Sequence, residues 1–178
     1  MRRRLASSSA ALCSSAPPRP LRRLSRGLSG GAATHAKKVI IDTDPGCDDA
    51  MAFVCAIHSR ADSGLKAVGG GAVAPLDVIG LTSIFGNVHI ELATANSLRL
   101  VELVGRPDIP VAKGADRPLM AKLGPPAVIV QGADGFGDVN SPAPAGQPIQ
   151  GKSAAEFIAE TCAASPGGGL PWAAVPFC

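Results

Sequence analysis

Residues 39–53, VIIDTDPGCDDAMAF, join a β-branched run to a helical repeat through one Pro–Gly turn. Val39–Ile40–Ile41, preceded by Lys37–Lys38, reads as a short strand bounded by polar residues. Pro45–Gly46 turns the chain. From Asp48 onward Ala50, Met51, Phe53, Val54 and Ile57 recur at helical spacing, which predicts a helix to about His58 with Asp48 or Asp49 as its N-cap. A second apolar run, Val78 to Phe85, ends at Gly86–Asn87. Strand, helix and strand in that order imply a parallel pair with a right-handed crossover. The fold class that follows is α/β, an open, mostly parallel, Rossmann-like sheet with flanking helices.

The rest of the chain extends this order. The Gly- and Ala-rich stretch from Ser59 to Pro75 reads as a flexible loop. Residues 90–104 carry Leu92, Ala95, Leu98, Leu100, Val101 and Leu103 on a broad apolar face, and Gly105 and Pro107 end that helix. A short strand is predicted over Ile109 to Ala112. VIVQGADGFGDVNSPAPAGQP begins with an apolar run and continues as a long Gly/Pro/Asp loop. Ser153 and Glu156 have the spacing of a capping box, which opens a helix to about Ala164. The final GGGLPWAAVPFC shows neither a helical nor a strand period, so residues 167–178 are expected to be an irregular tail.

Composition narrows the function classes. Hydrophobic residues make up 46% of the 178, enough for a real core, while aromatics are only 3%. Base-stacking platforms therefore have little to work with. The net charge of +3 is local, because seven arginines fall within the first 26 residues, where no acid occurs. The remainder is slightly acidic, and nucleic acid is not an expected partner. The Arg-, Ser- and Ala-rich leader, residues 1–36, has the composition of an organellar transit peptide, mitochondrial or plastid, without fixed structure. Its alternative is a basic tail on a cytoplasmic protein. The five cysteines have no C-x-x-C spacing, which argues for free thiols. Cys47 reads as a small residue of the turn, since no base stands at an evident spacing from it. No apolar run approaches the length of a membrane span, and no membrane is expected as a partner.

Four aspartates, Asp42, Asp44, Asp48 and Asp49, occupy eight positions around the first turn. In an open parallel sheet, ligands bind beyond the carboxyl ends of the strands, where both this turn and Gly86–Asn87 fall. Clustered carboxylates are hard oxygen donors suited to Ca²⁺ or Mg²⁺ and poor for zinc. Without a cation, at least one of them should have a raised pKa. An EF-hand loop fails, because Gly46 and Cys47 stand where an oxygen donor and the invariant glycine are needed. A D-x-D phosphatase also places an aspartate after its first strand, but PGCDDA does not match its usual sequel. Helix capping alone explains one or two aspartates and leaves Asp42 and Asp44 without a reason.

The string DTDPGCDDAMA resembles the D-x-D-P-G-x-D-D-A signature of the inosine–uridine preferring nucleoside hydrolases. The resemblance continues through VIGLTSIFGN, IPVAKGADRPL, QGADGFGD and SAAEFIAE, covering roughly residues 37–166. It implies a truncated nucleoside hydrolase fold and hydrolysis of the N-glycosidic bond of purine or pyrimidine ribonucleosides to ribose and free base. It further implies Ca²⁺ as cofactor, Asp44 as calcium ligand and catalytic base, and Asp49 as a second, bidentate ligand. Asp48 would accept a ribose hydroxyl, Asn87 would sit near the ribose, and Asp42 would buttress the loop. A homo-oligomer is expected of full-length members of the family.

The sequence departs from that pattern in places. Gln131–Gly132 stand where the family commonly has His–Gly, and glutamine cannot protonate a leaving base. The loop at 61–76 is longer than the family needs. The later calcium ligands and the ribose-gripping cluster are missing, and residues 167–178 read as sequence foreign to the family. By this reading the chain is a truncated form, expected to be unstable and inactive on its own. The competing readings are a non-catalytic truncated product and a D-x-D type metal-dependent phosphatase.

Overall fold

A computed structural model describes residues 36–59, 75–165 and 173–175. Apart from Ala36, the expected leader lies outside the described residues, as does the expected loop between Ser59 and Pro75. The elements run β1 (Lys37–Thr43), α1 (Cys47–His58), β2 (Leu76–Ser83), α2 (Ile90–Leu103), β3 (Val111–Lys113), α3 (Val128–Gln131), α4 (Ala154–Ala163) and β4 (Ala173–Val175). The four strands form one parallel sheet in the order β3-β2-β1-β4. This is the α/β, open parallel architecture that the strand–helix–strand order implies.

The strand order grows from β1 to β2 to β3 and then returns to the other side of β1. That reversal beside β1 is where open α/β sheets form their binding crevice. Alternation along the strands separates two faces. On one, Val39, Ile41, Val78, Leu81 and Val111 pack with Phe53 of α1 and Leu98, Leu100 and Val101 of α2. On the other, Gly80 of β2 faces α4 so closely that a Cβ there would lie 2.6 Å from the Phe157 ring. Helices thus cover both faces, as a parallel sheet requires.

Several boundaries and faces differ from the sequence expectation. β1 is longer, because Lys37–Leu76 and Thr43–Ser83 pairings continue the ladder through polar residues whose backbones still need partners. β2 begins two residues early and ends at Ser83, with a register shift between Val39 and Ile40. β3 starts at Val111, not Ile109, although Ile109 remains in the core. Met51 and Leu103, assigned to apolar helix faces, are exposed, while the buried stripe of α2 includes Thr94, Asn96 and Ser97.

Two caps and the tail complete this picture. The N-cap of α1 is Gly46, not Asp48 or Asp49. The capping box at the start of α4 forms as its spacing predicts, with the Ser153 hydroxyl accepting from the Glu156 N–H and the Glu156 carboxylate accepting from the Ser153 N–H. The tail is not irregular throughout, since Ala173–Val175 pair with Ile41–Thr43. Three residues suffice there because β1 offers a preformed ladder of backbone donors and acceptors.

Candidate active site

The site grows from the carboxyl ends of β1 and β2. The chain leaves β1 at Thr43, and Ile84 N–H donates to the Thr43 carbonyl at 3.0 Å, so the loop after β2 runs beside the acidic turn. Gly86 makes this approach possible: a Cβ there would lie 2.0 Å from Asp44 Oδ2. The next residue, Asn87, donates its backbone N–H to that same oxygen at 2.7 Å. Its side-chain Nδ2 donates to the Asp44 carbonyl at 3.2 Å and to Asp49 Oδ2 at 3.1 Å. One asparagine therefore joins the carboxylates of Asp44 and Asp49.

Asp49 is the third residue of α1, and its placement follows from the cap. Gly46 has no side chain to offer the first turn, so the Asp49 carboxylate reaches back to accept the Gly46 N–H at 3.3 Å. Its Oδ1 accepts from the Thr43 hydroxyl at 2.8 Å. Asp44 and Asp49 are both buried, whereas Asp48 is exposed at the helix N-terminus and accepts from Gln131 Nε2 at 3.0 Å. Asp42, half-buried within β1, takes a hydrogen bond of 2.6 Å from Thr82 on the neighbouring strand.

Burial governs the electrostatics. It pushes the Asp44 carboxyl up to about 6; the Asn87 N–H opposes that rise, and the nearby Asp49 and Asp48 charges add to it. Burial likewise raises Asp49, against hydrogen bonds from Thr43, Gly46 and Asn87, and raises Asp42 against its bond from Thr82. None of the ion pairs among the described residues involves Asp42, Asp48 or Asp49. A pair of buried, mutually repelling carboxylates is chemically suited to a hard divalent cation. In number the set is partial: among the described residues no three of His, Cys, Asp and Glu are grouped so as to enclose a metal ion. Asp44 and Asp49 could supply two oxygen-donor side chains, with the remaining ligands drawn from backbone, water, substrate or other parts of the protein.

Sequence reasoning missed three members of this constellation. Thr43 holds Asp49, but a threonine at a strand end carries no signal of its own. Asn96, fully buried on α2, donates to the Pro45 carbonyl at 3.3 Å and the Asp134 carbonyl at 2.9 Å, tying the acidic turn to the loop after α3. An asparagine on the core-facing stripe of α2, where its amide must find partners, is the one clue that could have marked it. Gln131, noted only for what it cannot do, is buried against the turn, where its Oε1 accepts the Cys47 N–H at 2.8 Å. Cys47 itself is an exposed free thiol, as are Cys55 and Cys162. No helix among the described residues is long and apolar enough to cross a membrane.

The chain is similar to known proteins over most of its length. The family model described as inosine-uridine preferring nucleoside hydrolase matches residues 39–175. Over 133 residues the chain is 47% identical to probable uridine nucleosidase 2 of Arabidopsis thaliana, an alignment covering 74% of this chain and 36% of that protein. Over 142 residues it is 41% identical to uridine nucleosidase 1 of the same plant, covering 79% and 38%. Among solved structures, the plant nucleoside hydrolase PpNRh1 superposes with a TM-score of 0.63 at 39% identity, over 75% of this chain and 38% of that one. The chain spans little more than a third of the length of these relatives.

Proposed function

Because the chain belongs to the inosine–uridine preferring nucleoside hydrolase family, we propose that the protein hydrolyses the N-glycosidic bond of ribonucleosides, with uridine the first substrate to test. The observation that carries this reading is the convergence of Asp44, Asp49 and Asn87 where β1 and β2 end, held by hydrogen bonds of 2.7 and 3.1 Å. The uridine assignment draws on the two plant uridine nucleosidases that the chain resembles.

In this reading Asp44 orients the attacking water and takes its proton. A carboxylate whose pKa is raised to about 6 is a better base than an exposed one and stays largely ionised at neutral pH. Asn87 fixes the Asp44 carboxylate through its backbone N–H and stands beside the ribose. Asp48, exposed at the mouth of the turn, accepts a ribose hydroxyl. As the glycosidic bond breaks, positive charge develops on the ribosyl group, and the acidic turn stabilises it. Asp44 and Asp49 would hold Ca²⁺, which when bound supplies the positive charge that acidifies water and orients ribose oxygens. Asp42 supports the turn through its bond to Thr82. The assembly expected of such a hydrolase is a homo-oligomer.

The test is release of ribose and free base from uridine and inosine by the purified full-length protein, with calcium and with a chelator. Turnover of uridine that calcium restores after chelation is the expected result. Binding of calcium without turnover of any ribonucleoside would overturn the hydrolase assignment. Residues 1–36 are proposed to direct import into an organelle, and a fluorescent fusion of residues 1–40 that stays diffuse in the cytosol would refute that.

A further inference from the structure

We infer that Gln131 is a positioning residue that sets the orientation of the Asp48 carboxylate. Its amide is used at both ends: Oε1 accepts the Cys47 N–H at 2.8 Å and Nε2 donates to Asp48 Oδ1 at 3.0 Å. The Cys47 N–H is one of the first amides of α1, which have no acceptor within the helix. Rotating the amide by a half turn would set its NH₂ against that N–H and its oxygen against a carboxylate, so only one orientation is compatible with both neighbours. Gln131 is buried, and a Cβ at Gly46 would lie 2.6 Å from its Cδ, so the amide packs directly onto the turn. Asp48 is exposed, and this is the one side-chain hydrogen bond that restrains it among the described residues.

The backbone keeps Gln131 in place. Its N–H donates to the Ala127 carbonyl at 2.9 Å, the Ala127 N–H donates to the Asn87 carbonyl at 3.1 Å, and the Gln131 carbonyl accepts from Gly137 at 2.8 Å. The residue that orients Asp48 is thus tied to the same Asn87 that orients Asp44 and Asp49. A neutral amide does not give up its N–H protons to a departing base, so the part of Gln131 in the site is to present Asp48. The inference rests on the reading that Asp48 accepts a ribose hydroxyl, and the test separates the two.

Gln131→Glu keeps the length of the side chain and the acceptor for Cys47, but it turns the donor facing Asp48 into a second carboxylate. In the calcium-loaded protein, Gln131→Glu is expected to raise the KM for uridine roughly tenfold with kcat changed much less. Independently of activity, Gln131→Glu should lower Tm by about 3 °C in the wild-type background. It should have little effect beside Asp48→Asn, whose amide can again hydrogen-bond a carboxylate. Gln131→Ala should speed hydrogen exchange at the Cys47 amide several-fold, while Gln131→Glu leaves it protected. Equal effects of Gln131→Glu on Tm in both backgrounds, or an unchanged KM, would overturn the positioning role. Absence of nucleoside turnover by the wild type would remove the hydrolase reading alone, and the melting cycle and amide exchange would still decide the Gln131–Asp48 pairing.

Discussion

The backbone N–H of Asn87 lies 2.7 Å from Asp44 Oδ2, so the loop after one strand fixes the carboxylate that follows its neighbour. The contact depends on Gly86, since a Cβ there would stand 2.0 Å from the same oxygen. Gly86→Ala should therefore push the loop away and cost about 1–3 kcal/mol, as overpacking of a tight site does. Thermal melting checks the stability loss, and calorimetric titration with calcium should show a weaker complex than the wild type.

Asp44 gives a pH dependence with a definite sign. Its pKa is raised from 3.8 to about 6, so the folded protein binds this proton more tightly than the unfolded chain does. The stability it contributes is present below the unfolded value and lost as pH rises through about 6. Asp42 and Asp49, also raised, act in the same direction. Asp44→Asn should therefore stabilise the chelator-treated protein at pH 7.5 by on the order of 1–3 kcal/mol and much less at pH 5, while abolishing turnover. The difference between variant and wild type is the quantity to measure. Asp108, Asp116, Asp134 and Glu156 are held low by their hydrogen bonds and lose stability as pH falls, in the opposite sense. Equal melting temperatures for the two proteins at pH 7.5 would contradict the burial of an ionised Asp44.

Calcium should reverse that loss. Added to wild type at pH 7.5, it is expected to raise Tm, and at pH 5, where protons compete for Asp44, to raise it far less. Melts with and without calcium at the two pH values decide this. A calcium effect of the same size in Asp44→Asn would place the ion elsewhere.

Asn96 holds two loops with one amide, donating to the carbonyls of Pro45 and Asp134. Its Oδ1 accepts from Arg99. Asn96→Ala would leave the buried Pro45 carbonyl and the half-buried Asp134 carbonyl without their partner and should cost about 2–4 kcal/mol. Hydrogen exchange should then accelerate over residues 132–138, whose backbone Asp134 and Asp138 otherwise organise. Unchanged exchange there would show that the loop holds itself.

Gly80 and Phe157 make a stability prediction remote from the site. Gly80→Ala places a methyl group 2.6 Å from the ring and should destabilise by about 1–3 kcal/mol. Shortening the ring in the double variant Gly80→Ala/Phe157→Leu should recover part of that loss, as measured by denaturant unfolding.

The elements legible in the sequence were those whose signal is local. A β-branched run, a Pro–Gly turn and a helical repeat determine β1, the turn and α1, because each depends on residues a few positions apart. Four aspartates in eight positions marked the turn as charged whatever lay around it, and the resemblance of that string to a hydrolase signature supplied the roles to look for. Local pattern could not say which aspartate caps α1, because Gly46 holds that place and Asp49 reaches back to it only once Thr43 and Asn87 share its carboxylate. Nor could it find β4, three residues whose partners lie more than a hundred positions earlier. Gln131 and Asp48 stand 83 positions apart, and Asn96 and Pro45 stand 51 apart. No period links such pairs. They meet because a parallel sheet gathers the ends of its strands at one edge, where buried polar groups must satisfy one another.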